Sequence, residues 1–191
     1  MVRRHFRHAP LLSALLAAAC SGGAEGAPAS DGAGAAPAAA ASAPSSPRAT
    51  AAGTVGTATV TVDYGRPSRR GRQIFGGLVP FDAVWRTGAN AATTLVLGGP
   101  VELGGRPLEA GTYTLYSVPA RDGWTLVVNG QTGQWGTEYD AGRDVARIPM
   151  EVSRAQAPVD TFTISVEGGA GEGRLTFAWD TLQGALPIRA R

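Results

Sequence analysis

Residues 57–64 read TATVTVDY, and their alternation decides the fold. Ala58, Val60, Val62 and Tyr64 fall on one side of an extended chain, with Thr57, Thr59, Thr61 and Asp63 on the other, as a strand buried on one face requires. The same period of two returns in Asp144–Val152, in Thr161–Glu167, where Phe162, Ile164 and Val166 alternate with polar residues, and in Arg174–Asp180, with Leu175, Phe177 and Trp179. Further strands are expected at Thr93–Leu97, Val101–Leu103, Thr112–Val118 and Trp124–Asn129. Gly104-Gly105 and Asn129-Gly130 supply turn chemistry beside them. The best helical candidate is a weak turn at Ser153–Gln156. About eight to ten short strands describe an all-β chain: a single antiparallel β-sandwich or barrel-like domain over residues 55–191.

Upstream the composition changes. Residues 20–54 consist mostly of Ala, Gly, Pro and Ser, and from 21 to 54 hold no Val, Ile, Leu or aromatic residue. Such a segment cannot bury enough apolar surface to offset its chain entropy, so a disordered tether is expected. Residues 1–19 have the form of a secretory signal: Arg3, Arg4 and Arg7 precede the apolar run Ala9–Ala19. That run is too short to span a bilayer.

Ala17-Ala18-Ala19-Cys20 resembles the lipobox of bacterial lipoproteins, in which cleavage leaves a lipidated cysteine as the first mature residue. Leu16 stands four places before Cys20, one place further than the usual leucine. Cys20 is the only cysteine of the chain, so no internal disulfide is possible. The expected partner is therefore a membrane, through lipid on Cys20. The expected location is the periplasmic face of the cell envelope, at the outer membrane because Ser21 and not Asp follows the cysteine.

Cleavage also changes the charge argument. The chain has 17 basic residues, every one arginine, against 15 acidic ones; removing the three signal arginines leaves 14 against 15. A near-neutral domain offers no electrostatic footprint for nucleic acid. Since arginine does all the work that lysine shares elsewhere, an arginine is weaker evidence for an anion site here than usual. Both histidines, His5 and His8, lie in the signal. Imidazole or thiolate metal sites, histidine-based triads and lysine chemistry are thereby excluded from the mature domain, and no cofactor or metal is expected.

Tyr64–Asn90 (YGRPSRRGRQIFGGLVPFDAVWRTGAN), followed by GGRPLEAGTYTLYSVP, by NGQTGQWGTEYDAGRDVARIPM and by TFTISVEG, resembles the bacterial family called domain of unknown function 2911, from about Val60 to Ile188. The resemblance implies a secreted or periplasmic protein, often a lipoprotein, with no established activity. The family pattern favours Glu after the Asn of WRTGAN, where this chain has Ala91. Glu138 or Asp140 is then a candidate to replace that carboxylate.

Three functional readings stand, the third a hard-cation site on the oxygens of Glu138, Asp140 and Asp144, whose spacing follows no EF-hand loop. The first is a non-catalytic ligand-binding or scaffold domain for a small molecule, glycan or peptide. Its candidate residues are Arg66, Trp85, Arg86, Asn90 and Trp135, then Tyr64 and Asp140, expected to converge on one concavity. Tyr116 and Tyr139 are further stacking surfaces. Trp124 and Trp179, at inward strand positions, read as core; Trp85 and Trp135 suit either core or site. The second is a hydrolase of envelope glycan using Glu138 and Asp140 as acid and base, which requires the two carboxylates to face each other across a cleft. The bland alternatives are a solvated acidic turn for Glu138 and Asp140, and surface salt bridges for Arg69, Arg70 and Arg72.

Overall fold

The computed structural model describes residues 46–191, all β apart from one 3-10 turn at Ala141–Arg143. The strands are β1 (Arg48–Val55), β2 (Ala58–Gly65), β3 (Thr93–Leu97), β4 (Val101–Leu103), β5 (Arg106–Leu108), β6 (Gly111–Pro119), β7 (Trp124–Asn129), β8 (Asp144–Glu167) and β9 (Glu172–Ala190). They form one open antiparallel sheet of nine strands in the order β1-β2-β3-β6-β7-β8-β9-β4-β5. The sheet bends into a sandwich-like layer pair. Gly56 N donates to Gly169 O at 2.9 Å and Gly169 N to Thr54 O at 3.0 Å, bringing the end of β1 against the segment after β8.

The alternation of residues 57–64 is realised in β2: Val60 and Val62 are fully buried, Ala58 and Tyr64 nearly so. Leu95 and Leu97 of β3, Leu126 and Val128 of β7, Ile148 of β8, and Leu175, Phe177 and Trp179 of β9 face the same core. Trp124 and Trp179 are core residues, as their strand parity requires. The phenol of Tyr64 links two strands through this core, since its oxygen accepts from Ile164 N at 2.9 Å and lies 3.3 Å from Ile164 O. Gly104 and Gly105 both have positive φ, 54° and 80°, and connect the paired residues Leu103 and Arg106. Two successive left-handed residues are what a two-residue type I′ hairpin demands.

The structure departs from sequence expectation at four places. Residues 48–54, assigned by composition to the linker, belong to β1, which pairs along its whole length with β2 from Arg48↔Gly65 to Val55↔Ala58. Asp144–Val152 and Thr161–Glu167 are one strand of 24 residues, and β9 has 19, so these two are not short. Ser153–Gln156 lies inside β8, where Ser153 pairs with Gln183, and forms no helical turn. Asn129-Gly130 ends β7 but opens a long loop to β8, held by Asn129, whose Nδ2 donates to Asp140 O at 2.8 Å and Asp144 Oδ1 at 2.9 Å. The signal, Cys20 and the linker as far as residue 45 lie outside the described residues.

Candidate ligand-binding cavity

Between β2 and β3 the chain makes a long excursion, residues 66–92, fastened at three points. Its first part runs along β8: Arg69 N donates to Asp160 O at 2.7 Å, and Phe162 N to Pro67 O at 2.9 Å. Its middle pairs with β6, where Trp85 and Ser117 exchange backbone hydrogen bonds of 2.7 and 2.9 Å. Ser117 lies beyond the stretch of β6 that pairs with β3, so Trp85 occupies the edge that β3 leaves open. The last part meets the β7–β8 loop: Ala91 is bridged to Trp135, and Gly136 N donates to Asn90 O at 3.0 Å.

The space framed by these attachments is an open cavity of about 600 Å³, within the range of small-molecule sites. Trp85, Arg86 and Asn90 line it together. The half-buried Trp85 ring stacks on Trp179, with centroids 5.7 Å apart and planes at 18°, and meets Phe162 edge-on at 5.0 Å. It therefore serves as core and cavity wall at once. Arg86 Nε donates to Gly88 O at 3.4 Å; among the described residues no carboxylate lies within ion-pair distance of its guanidinium. The stem of Arg86 lies on Gly136, where an added Cβ would sit 2.9 Å from Arg86 Cδ and 2.7 Å from Asn90 O.

The turn carrying these residues is strained. Thr87, Asn90 and, across the cavity, Arg70 have φ of 52°, 64° and 50°. For a β-branched threonine this conformation is a true outlier. Thr87 is held there because it is buried and its hydroxyl lies 3.0 Å from Ser117 Oγ, while its carbonyl accepts from Thr93 Oγ1 at 2.8 Å.

Two tyrosines complete the wall, in T-shaped contact at 4.8 Å. Both hydroxyls are engaged elsewhere: Tyr116 donates to Glu138 O at 2.6 Å, and Tyr139 donates to Asp144 Oδ2 at 2.6 Å while accepting from Arg147 at 2.7 Å. Burial pushes both phenols above their ordinary pKa, with the Gln134 hydrogen bond opposing it at Tyr116 and the Asp144 hydrogen bond reinforcing it at Tyr139. A raised phenol holds its proton at neutral pH, so neither ring supplies a phenolate nucleophile.

The other candidates fall outside the cavity. Tyr64 is buried behind it in the core. Arg66 turns toward β8, its guanidinium donating to Phe162 O at 3.3 Å and Thr163 Oγ1 at 3.0 Å, beside the bond that ties the next residue, Pro67, to Phe162 N. Trp135 is exposed and adjoins the cavity through its backbone only. Asp140 caps the 3-10 turn, accepting from Gly142 N at 2.8 Å, and faces Arg143 at 3.9 Å. Glu138 is exposed. Neither carboxylate lines the cavity, and no described Asp or Glu does. Among the described residues no group of three or more His, Cys, Asp or Glu could hold a metal ion. Arg69 makes the expected surface salt bridge, to Asp180 at 3.0 Å, but Arg70 and Arg72 line the cavity. Arg72 is held from behind by the carbonyls of Arg69 and Ser68 at 3.0 and 2.7 Å.

The cavity thus gathers residues of the Tyr64–Asn90 stretch and of QWGTEYD, with Tyr116 and Trp179. These lie within residues 46–188, which match a family model described as "Protein of unknown function (DUF2911)". The chain belongs to that family. No curated protein and no solved structure matches it. In this member of DUF2911 the position after Asn90 is Ala91, whose backbone bridge to Trp135 joins the end of the excursion to the β7–β8 loop.

Proposed function

We propose that this protein is a cell-envelope lipoprotein, anchored through Cys20 at the periplasmic face of the outer membrane, whose β-domain binds a small ligand without chemically transforming it. The observation that carries the binding reading is the meeting of Trp85, Arg86 and Asn90 in one cavity, with Arg86 paired to no described carboxylate. A half-buried guanidinium with no counter-charge among the described residues is costly to keep unless an external partner uses it. Backbone strain gathered at the same turn supports the reading, since strain held by its surroundings clusters at ligand clamps and active sites. Nothing in the geometry favours the carboxylate hydrolase, whose two acids lie off the cavity.

The test is a fragment screen of the mature protein by two-dimensional amide NMR. Hits should cluster on Trp85, Arg86, Asn90 and Gly136, and Arg86→Ala should abolish them. Hits scattered over the sheet, or none at these residues, would defeat the binding reading. Mass spectrometry of the mature N-terminus tests the anchor separately: an unmodified Cys20, or cleavage elsewhere, overturns it.

A further inference from the structure

The cavity combines two chemical characters. Arg70, Arg72 and Arg86 are among its lining residues, with no carboxylate among the described ones. Seven of the described arginines are paired with Asp or Glu, so a carboxylate is the common partner of arginine in this domain. Arg72 and Arg86 instead spend Nε on backbone carbonyls. That fixes each guanidinium and leaves both terminal nitrogens of Arg86, and one of Arg72, without a described partner. Planar forks held in this way match the paired oxygens of a carboxylate or phosphate.

The apolar character comes from the rings. Trp85 and Trp179 form a stacked wall, and Tyr116 and Tyr139, with their hydroxyls turned away to other partners, contribute ring carbon. Leu78 and Val84 stand on the rim at 46% and 41% exposure, two of the few large apolar side chains the domain leaves in water. A ligand that covered them would remove that exposed surface.

We infer that the cavity selects a small molecule bearing one oxyanion group, carboxylate or phosphate, on a largely apolar or ring-shaped body. This rests on the binding reading above and adds charge selectivity to it. The anion lies against Arg86 and Arg72, and the body covers Trp85, Leu78 and Val84.

The experiment titrates the mature protein with benzoate, phenyl phosphate and the neutral benzamide, following the Trp85 indole N–H and the Gly136 amide by NMR. Benzoate or phenyl phosphate should bind at least about tenfold more tightly than benzamide, since a charge-assisted pair contributes about a factor of ten or more. Raising salt from about 50 to 500 mM should weaken the anion and leave benzamide unmoved. Arg86→Gln, which keeps the stem on Gly136, should remove the anion preference; Arg72→Gln should reduce it. The stronger of the two anionic probes assigns the group. Benzamide binding as tightly as both anions, or equal losses for charged and neutral probes in Arg86→Gln, overturns the selectivity while leaving a ligand cavity in place. Failure of all three probes to move either signal overturns the inference and counts against the cavity itself.

Discussion

Replacing Gly136 by alanine tests whether the Arg86–Asn90 turn is locked from outside. The new methyl would lie 2.7 Å from Asn90 O and 2.9 and 3.2 Å from Arg86 Cδ and Cβ. The first contact cannot be relieved by a side-chain rotation, because the oxygen is backbone and also accepts the Gly136 N–H at 3.0 Å. Moving it away therefore breaks that bond. Overpacking of this kind costs about 1–3 kcal/mol, and the hydrogen bond adds about 1 kcal/mol. We expect Gly136→Ala to lose about 2–4 kcal/mol, read as a fall in Tm of roughly 4–12 °C. Gly123→Ala is the control: nothing lies within 4 Å of its would-be Cβ, so it should stay near wild type or gain about 0.5 kcal/mol by restricting the unfolded chain. Both are measured by urea and thermal unfolding. If Gly136→Ala unfolds within about 0.5 kcal/mol of wild type, the turn is free to shift and the close approach does not hold it.

Tyr64→Phe should cost about 1–3 kcal/mol by stranding the buried Ile164 N–H, and leave probe binding in the cavity unchanged; a binding defect at unchanged stability would return Tyr64 to the site. Thr87→Val keeps the strained φ but removes the hydroxyl beside Ser117, so a urea midpoint equal to wild type would refute the role given to that contact; the expected loss is about 1–3 kcal/mol. Trp85→Ala should destabilise by about 3–5 kcal/mol, whereas a residue serving the ligand alone would leave the midpoint unmoved. The chain has no lysine, so between about pH 9 and 12 the described domain titrates only through tyrosine. Tyr116 and Tyr139 lie above 10.0 in the fold, so the unfolded chain loses these protons first. Their contribution is complete below pH 10 and is lost as pH rises through their folded values. Urea midpoints should fall above about pH 10, less steeply in Tyr139→Phe, and a level profile to pH 11.5 would contradict this.

What could be read in advance followed from burial. Strands with one face in the core alternate, and β3, β4 and β7 appear with the bounds their patterns predict. β1 was hidden because, after Arg48, RATAAGTV holds mostly Ala, Gly and Thr and shows no large apolar period, and its partner along β2 supplies the reason it is a strand. The middle of β8, Glu151–Asp160, is largely exposed on both faces, so no period marks it; backbone pairing with β9 and the Arg69 N–H bond to Asp160 O sustain it. β5 carries Pro107, tolerable because β5 ends the sheet. At the site, Trp85, Arg86 and Asn90 were legible from their glycine-rich setting. Arg72 was not, since the carbonyls that hold it leave no trace in residue type. Tyr64 had already been placed by its strand: its parity with Val60 and Val62 pointed it inward, and that should have outweighed its neighbours in the arginine-rich segment.

The entry of the chain into the domain has a practical and a biological consequence. Ser46 borders the cavity, its carbonyl 3.5 Å from Asn90 Nδ2, and Pro47 O accepts from Arg66 N at 2.8 Å. The polypeptide thus reaches the fold beside the mouth, whereas Arg191 and its partner Glu109 at the other end do not border it. A tag or surface linkage placed upstream of Ser46 would crowd the opening, and immobilisation through the C-terminus would spare it. With lipid on Cys20, the tether would join the domain on the cavity side, placing the mouth within a tether's reach of the membrane without fixing the domain's orientation.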